Sequence, residues 1–152
     1  METTGKKISF SRLYKVSACT ALAMILFFLL MKLLGLVTIV ELRFLNFVII
    51  FIGIRYMLLE ARRQNQGKLE YLSGMLTGFL TAFCISLFFA VFLVLYLYFD
   101  KNFMAYLKVT QPFGSYLTPG SAALVNIMED ISGGAILAFA LMHILNRDNN
   151  QG

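Results

Sequence analysis

Apolar residues in this chain gather into four blocks, about 16–36, 42–61, 71–99 and 120–145, separated by short polar stretches. Each block reaches or exceeds the ~20 residues with which a helix crosses the ~30 Å hydrocarbon core of a bilayer. The pattern predicts an all-α integral membrane protein, a four-transmembrane-helix bundle. A basic N-terminal segment occupies 1–15, a single transmembrane domain 16–145, and a polar tail 146–152.

The punctuation between the blocks is specific. Gly35 and the β-branched Val37-Thr38-Ile39-Val40 read as the first turn. The polar Gln64-Asn65-Gln66-Gly67 reads as a helix stop and turn. The third block exceeds ~40 Å at ~1.5 Å per residue, so it must tilt or project beyond the membrane. Its first half carries Gly74, Gly78 and Ala82 at four-residue spacing, with Thr77 and Thr81 beside them. Such a small-residue stripe lets a neighbouring helix approach closely. Its second half carries Phe88, Phe92, Tyr96 and Phe99 on one side, an aromatic belt suited to the membrane interface. Residues 100–118 form the longest connection. There Phe103, Met104, Tyr106 and Leu107 mark one flank of a short interfacial helix, with Lys101 and Lys108 beside them. Gln111-Pro112-Phe113-Gly114 breaks that helix. Thr118-Pro119 then supplies a side-chain cap and a first-turn proline for the last one.

Composition supports this picture. The chain is 59% hydrophobic and only 14% charged, where soluble domains are nearer a quarter charged. The net charge of +5 is not a nucleic-acid footprint, because the basic residues flank apolar blocks as juxtamembrane charge does. Nucleic acid is accordingly excluded as a partner, and the lipid bilayer is the expected surrounding. Lys6, Lys7, Arg12 and Lys15 precede the first span, and Arg62, Arg63 and Lys68 separate the second from the third. The positive-inside tendency then places both termini in the cytoplasm and 100–118 outside. Cys19 and Cys84 lie in apolar runs and read as small hydrophobes packed in helices.

Candidate chemistry centres on the fourth span. Glu129 and Asp130 sit in the middle of the otherwise apolar or small stretch 122–145. A charge at that depth costs at least ~2.5–3.5 kcal/mol and must face the bundle interior. Ala122, Asn126, Glu129, Gly133 and Leu137 share one helix face, with Asp130 bordering it and Gly134 extending it. Arg55 in the second span lies ~8–10 Å away along the membrane normal. Lys32, near the far end of the first span, approaches from the outer side. The depth match predicts an intramembrane network of Arg55 with Glu129 or Asp130, joined by Lys32; alternatively Lys32 extends its ammonium into the headgroups. The network serves either to fix helix packing or, if one acid titrates, to carry a proton or ion.

The lone His143 lies ~20 Å along the helix from Asp130, too far to act with it. The sequence shows no metal-ligand spacing, phosphate-binding loop or Gly-x-Ser-x-Gly turn. No enzyme activity, cofactor or metal is expected. The leading reading is an accessory or scaffold subunit. Gly74, Gly78, Gly133 and Gly134 would be its packing surfaces for a membrane-protein partner or a second copy. The alternative is a small proton- or ion-coupled transporter or channel using Glu129 or Asp130.

Particular residues also carry a resemblance. Arg62-Arg63-Gln64-Asn65-Gln66-Gly67, then Tyr71, Gly74 and Gly78, then Phe89-Ala90 and the Tyr-rich helix end at Tyr96–Asp100 resemble the small four-span bacterial proteins of domain-of-unknown-function family 4199. The late helix with Ser132-Gly133-Gly134 fits that picture, and the resemblance covers roughly 40–145. It implies a four-helix protein of the bacterial inner membrane. It implies no activity and no functional residue, since the family has none assigned.

Overall fold

The structure, a computed structural model, describes residues 10–36, 44–65, 69–111 and 114–149, with side chains to residue 145 in the last stretch. Lys6 and Lys7, the Val37–Val40 part of the first turn, Glu41 and Arg43, Gln66 to Lys68, Pro112-Phe113 and the tail's side chains lie outside the described residues. The described residues form five α-helices: α1 (Phe10–Leu33), α2 (Phe44–Gln64), α3 (Tyr71–Phe99), α4 (Lys101–Thr110) and α5 (Pro119–Asn149). A 3₁₀ turn at Gly114–Tyr116 precedes α5. There is no strand among the described residues. The four long helices are apolar enough to cross a membrane, and the protein is a four-span helical bundle.

The helix ends follow local chemistry. α1 closes with Gly35 in the left-handed region at φ 69°. Its amide donates to the Lys32 carbonyl at 3.1 Å and the Leu36 amide donates to Met31 at 2.9 Å, the paired bonds of a Schellman motif, in which glycine avoids the Cβ penalty. α5 opens on the expected cap: the Ser121 amide donates to Thr118 Oγ1 at 3.1 Å, and the Thr118 amide donates to Ser121 Oγ at 2.8 Å. α4 is capped by Asp100, whose Oδ1 accepts from the Phe103 amide at 2.9 Å. Several hydroxyls inside the spans bond to their own helices, whereas the buried Ser17 Oγ has no hydrogen-bond partner among the described residues. Thr77 donates to the Ser73 carbonyl and Thr81 to the Thr77 carbonyl, each at 2.7 Å. This removes an unsatisfied polar group from lipid.

α3 is the central helix, packing on α1, α2 and, most extensively, α5. Its small-residue stripe meets a matching stripe on α5 running the other way. A methyl placed on Gly74 would strike Met142, one on Gly78 would lie 2.5 Å from the Ala138 Cβ, and one on Gly134 would strike Ala82. The backbones approach closely enough for van der Waals contact to hold the seam, which matters because lipid gives apolar residues no reason to leave it. On the other side Gly53 of α2 admits Thr20 of α1. Apolar side chains such as Leu26, Ile52, Leu76 and Ile136 point outward and meet lipid. Cys19 also faces outward instead of packing between helices, while Cys84 is half-buried.

Candidate functional site: a cavity above a buried acid

The half of the bundle that carries α4 does not pack solidly. A cavity of about 210 Å³ opens between the helices. Its walls are aromatic and aliphatic: Phe28 and Met31 from α1, Phe47 from α2, and Phe89 and Leu93 from α3. Phe103, Tyr106 and Leu107 of α4 lie across it. Its polar groups are Asn46, Asn126, Glu129 and Asp130, with Thr110 and Gln111 at the end of α4. Phe28 is the hub of the wall. Its ring meets those of Phe89, Phe92, Tyr96 and Phe103 edge-on, with centroids 5.1–6.4 Å apart. Gly133 seats Phe47, since a methyl there would strike that ring.

Asp130 lies at the base of this space and is only 3% exposed. It stands one helical turn from Gly134, so the seam that closes α3 on α5 gives way to the cavity at the carboxylate. The polar face expected on α5 is thereby rotated by one position. Ala123, Asp130, Ala138 and Met142 are buried, Asn126, Gly133 and Leu137 are half-buried, and Glu129 is exposed at the cavity's edge.

The expected network of Arg55 and Lys32 with these acids is not supported. α2 buries Ile50, Gly53, Ile54, Met57, Leu58 and Ala61. Arg55 follows Ile54 by one position, ~100° around the helix, and lies on the exposed face. Among the described residues it forms no ion pair with Glu129 or Asp130. Neither acid is without a partner of its own. Lys32 turns the other way and forms an ion pair with Asp100. Its ammonium also lies over the rings of Phe103 and Tyr96, 4.7 and 5.3 Å from their centroids. The Tyr96 hydroxyl donates to Asp100 Oδ2 at 2.8 Å. One carboxylate therefore ties α1, α3 and α4 together at the rim. At the opposite end of the bundle Arg12 pairs with Glu60, joining α1 to α2.

Asp100 was missed at the sequence level, although an aspartate three residues before Phe103 at the start of an amphipathic run is an N-cap signal. The Lys32 ammonium first, then the Phe103 amide and the Tyr96 hydroxyl, hold its carboxyl at about 2, below the ordinary 3.8. The stabilisation tied to the ionised form is complete above the ordinary value and is lost as pH falls through about 2. Melting temperature in mild detergent should therefore stay level down to about pH 4 and fall below it. Asp100→Asn should remove that part of the acid decline; an unchanged decline in the variant would refute the assignment.

Fold and cavity together define a polytopic helical membrane protein with a partly polar chamber in one half of its bundle. The chain belongs to the family described as protein of unknown function, DUF4199, which matches residues 15–112. No curated protein and no solved structure matches it. The matched residues run from α1 past the end of α4, so they hold the chamber's walls and cover, whereas α5 with its two acids lies beyond them.

Proposed function

We propose that this protein binds a small solute in the chamber, in the manner of a transporter or channel and without catalysis, with Asp130 as the group the solute meets. One observation carries this reading: a carboxylate near the middle of a spanning helix is buried yet lines a cavity of about 210 Å³. Intramembrane carboxylates are costly and typically mark solute or ion paths. The scaffold reading is less well supported. The four glycines it would offer to a partner are filled by Met142, Ala138, Phe47 and Ala82 of the same chain.

The chamber opens on the outer side, both termini being cytoplasmic, as the Lys/Arg distribution implies. The inner membrane of a bacterium is the proposed setting, following the family resemblance. The test is thiol labelling in intact cells, in a Cys19→Ser, Cys84→Ser background. A cysteine at Asn126 should react with a charged, membrane-impermeant reagent added outside. One at Leu124, on the lipid face, should react only with a lipophilic maleimide. If the Asn126 position is inert to the charged reagent on both sides, the chamber is dry and the solute reading fails. If it reacts only after permeabilisation, the orientation is reversed.

A further inference from the structure

We infer that the outward face of α2 is a docking surface inside the membrane for another membrane protein, a spanning helix that brings an aspartate or glutamate to Arg55. Arg55 is not among the residues that line the chamber, so this surface is independent of the solute-binding reading.

Arg55 stands beside the centre of the 21-residue α2. It is exposed, and so are its neighbours on that face, Ile52 and Tyr56, at 61% and 59%. A charge inside a span ordinarily turns to the bundle interior or pairs with an opposite charge. Arg55 does neither: among the described residues it has no hydrogen bond, ion pair or ring contact. Its guanidinium is always ionised and presents a planar fork of donors that a carboxylate matches with two parallel bonds. In a medium of low dielectric such a pair is strongly attractive.

The chain's own carboxylates do not answer this charge. Of the eight acids, Glu2, Glu41, Glu70, Asp100 and Asp148 lie outside the four spans. Glu60 is engaged by Arg12. Glu129 and Asp130 have contacts of their own. They also stand at another depth. Ile54 lies against Gly134 and, at Gly78, level with Ala138; from these residues the two acids are four to nine positions, ~6–14 Å, towards the α4 end. A second copy fares no better. Its Glu129 has the same mismatch in depth, and a two-fold axis through this face would set Arg55 against Arg55.

A lipid phosphate carries the right charge at the wrong height. The Arg12–Glu60 pair marks the nearer polar rim, five residues or ~7.5 Å from Arg55 along α2. A helical side chain leans towards its helix N-terminus, which here points away from that rim. Arg63 already stands exposed at the rim itself. A carboxylate on a neighbouring spanning helix meets the guanidinium at its own depth, and the apolar side chains beside Arg55 give that helix a surface to pack on.

The probe is a leucine–alanine helix of spanning length with one central glutamate, beside a twin with glutamine. Each carries an acceptor dye and is mixed with donor-labelled full-length protein in phospholipid vesicles. Energy transfer is read at alkaline pH, where the glutamate is ionised. Wild-type protein should favour the glutamate helix about tenfold or more. Arg55→Leu should erase the preference and melt as the wild type does, because the side chain holds nothing in its own bundle. Equal binding of the two helices by wild-type protein overturns the inference, as does a preference that survives in Arg55→Leu. Energy transfer between two labelled copies that Arg55→Leu abolishes would overturn it in favour of self-association. Retention of anionic phospholipid that Arg55→Leu abolishes, with no preference between the helices, would make Arg55 a headgroup anchor instead. The wild-type comparison decides the matter even if the variant fails to assemble.

Discussion

Gly134→Leu is expected to prevent the bundle from accumulating in folded form. A methyl at this position already collides with the Ala82 methyl across the seam, and both belong to backbone-proximal atoms that no side-chain rotation can move. Leucine adds three further carbons at the same point. Overpacking of this kind costs ~1–3 kcal/mol or more in a filled core. Here it also pushes α3 from α5 along the pairing on which the bundle chiefly depends. Size-exclusion of a fluorescent fusion in mild detergent should show loss of the monodisperse peak. The milder Gly134→Ala should lower the melting temperature, and adding Ala82→Gly should restore much of it, because the pair then merely exchanges its methyl group. A Gly134→Ala protein that melts like wild type, with no gain from the second change, would mean that the seam is not closed as described.

The second large effect is expected at the rim. Asp100 accepts from Lys32, from the Tyr96 hydroxyl and from the amide that starts α4. Asp100→Ala removes a cap worth ~1 kcal/mol and a charge-assisted bond worth ~1.5–3 kcal/mol, and it leaves the Lys32 ammonium facing aromatic rings without its counter-ion. Lys32→Met keeps the cap and the tyrosine bond, so it should cost less. The double variant should cost less than the sum of the two. Hydrogen exchange offers the more direct readout, since amides of residues 101–110 should lose protection in Asp100→Ala while α3 keeps its own. If α4 exchanges at the wild-type rate in both variants, the rim contacts do not hold it down.

The spans were legible because lipid imposes a simple rule: a long apolar run must be a helix. The Gly74, Gly78 and Ala82 stripe was legible for a similar reason, since four-residue spacing of small side chains has few uses but close packing. Which helix it would meet was not written locally; the partner stripe of Gly134, Ala138 and Met142 emerges only when the two are laid antiparallel. The candidate site was half legible. Asp130 stood out by its depth, but depth says nothing about direction around the helix axis. On that axis Arg55 falls beside the buried face of α2 and Glu129 beside that of α5. The pattern of Ile50, Ile54, Met57, Leu58 and Ala61 already excluded Arg55 from that face and could have been used. Lys32 and Asp100, 68 positions apart, come together only through the tertiary fold. The chamber could not be read at all, because a cavity is the space that several helices fail to fill.

The interlock between α3 and α5 behaves as a ratchet with its teeth one helical turn apart. Sliding α5 by one turn, ~5.4 Å, would set Ala138 against Ala82 in one direction and Asp130 against Ala82 in the other. The first puts a methyl where glycine alone fits, and the second buries a carboxylate against alanine. The seam therefore fixes the height of Asp130 relative to α3. The carboxylate and the two-helix seam thus share one register, and a slip of α5 would carry Asp130 out of the chamber's base.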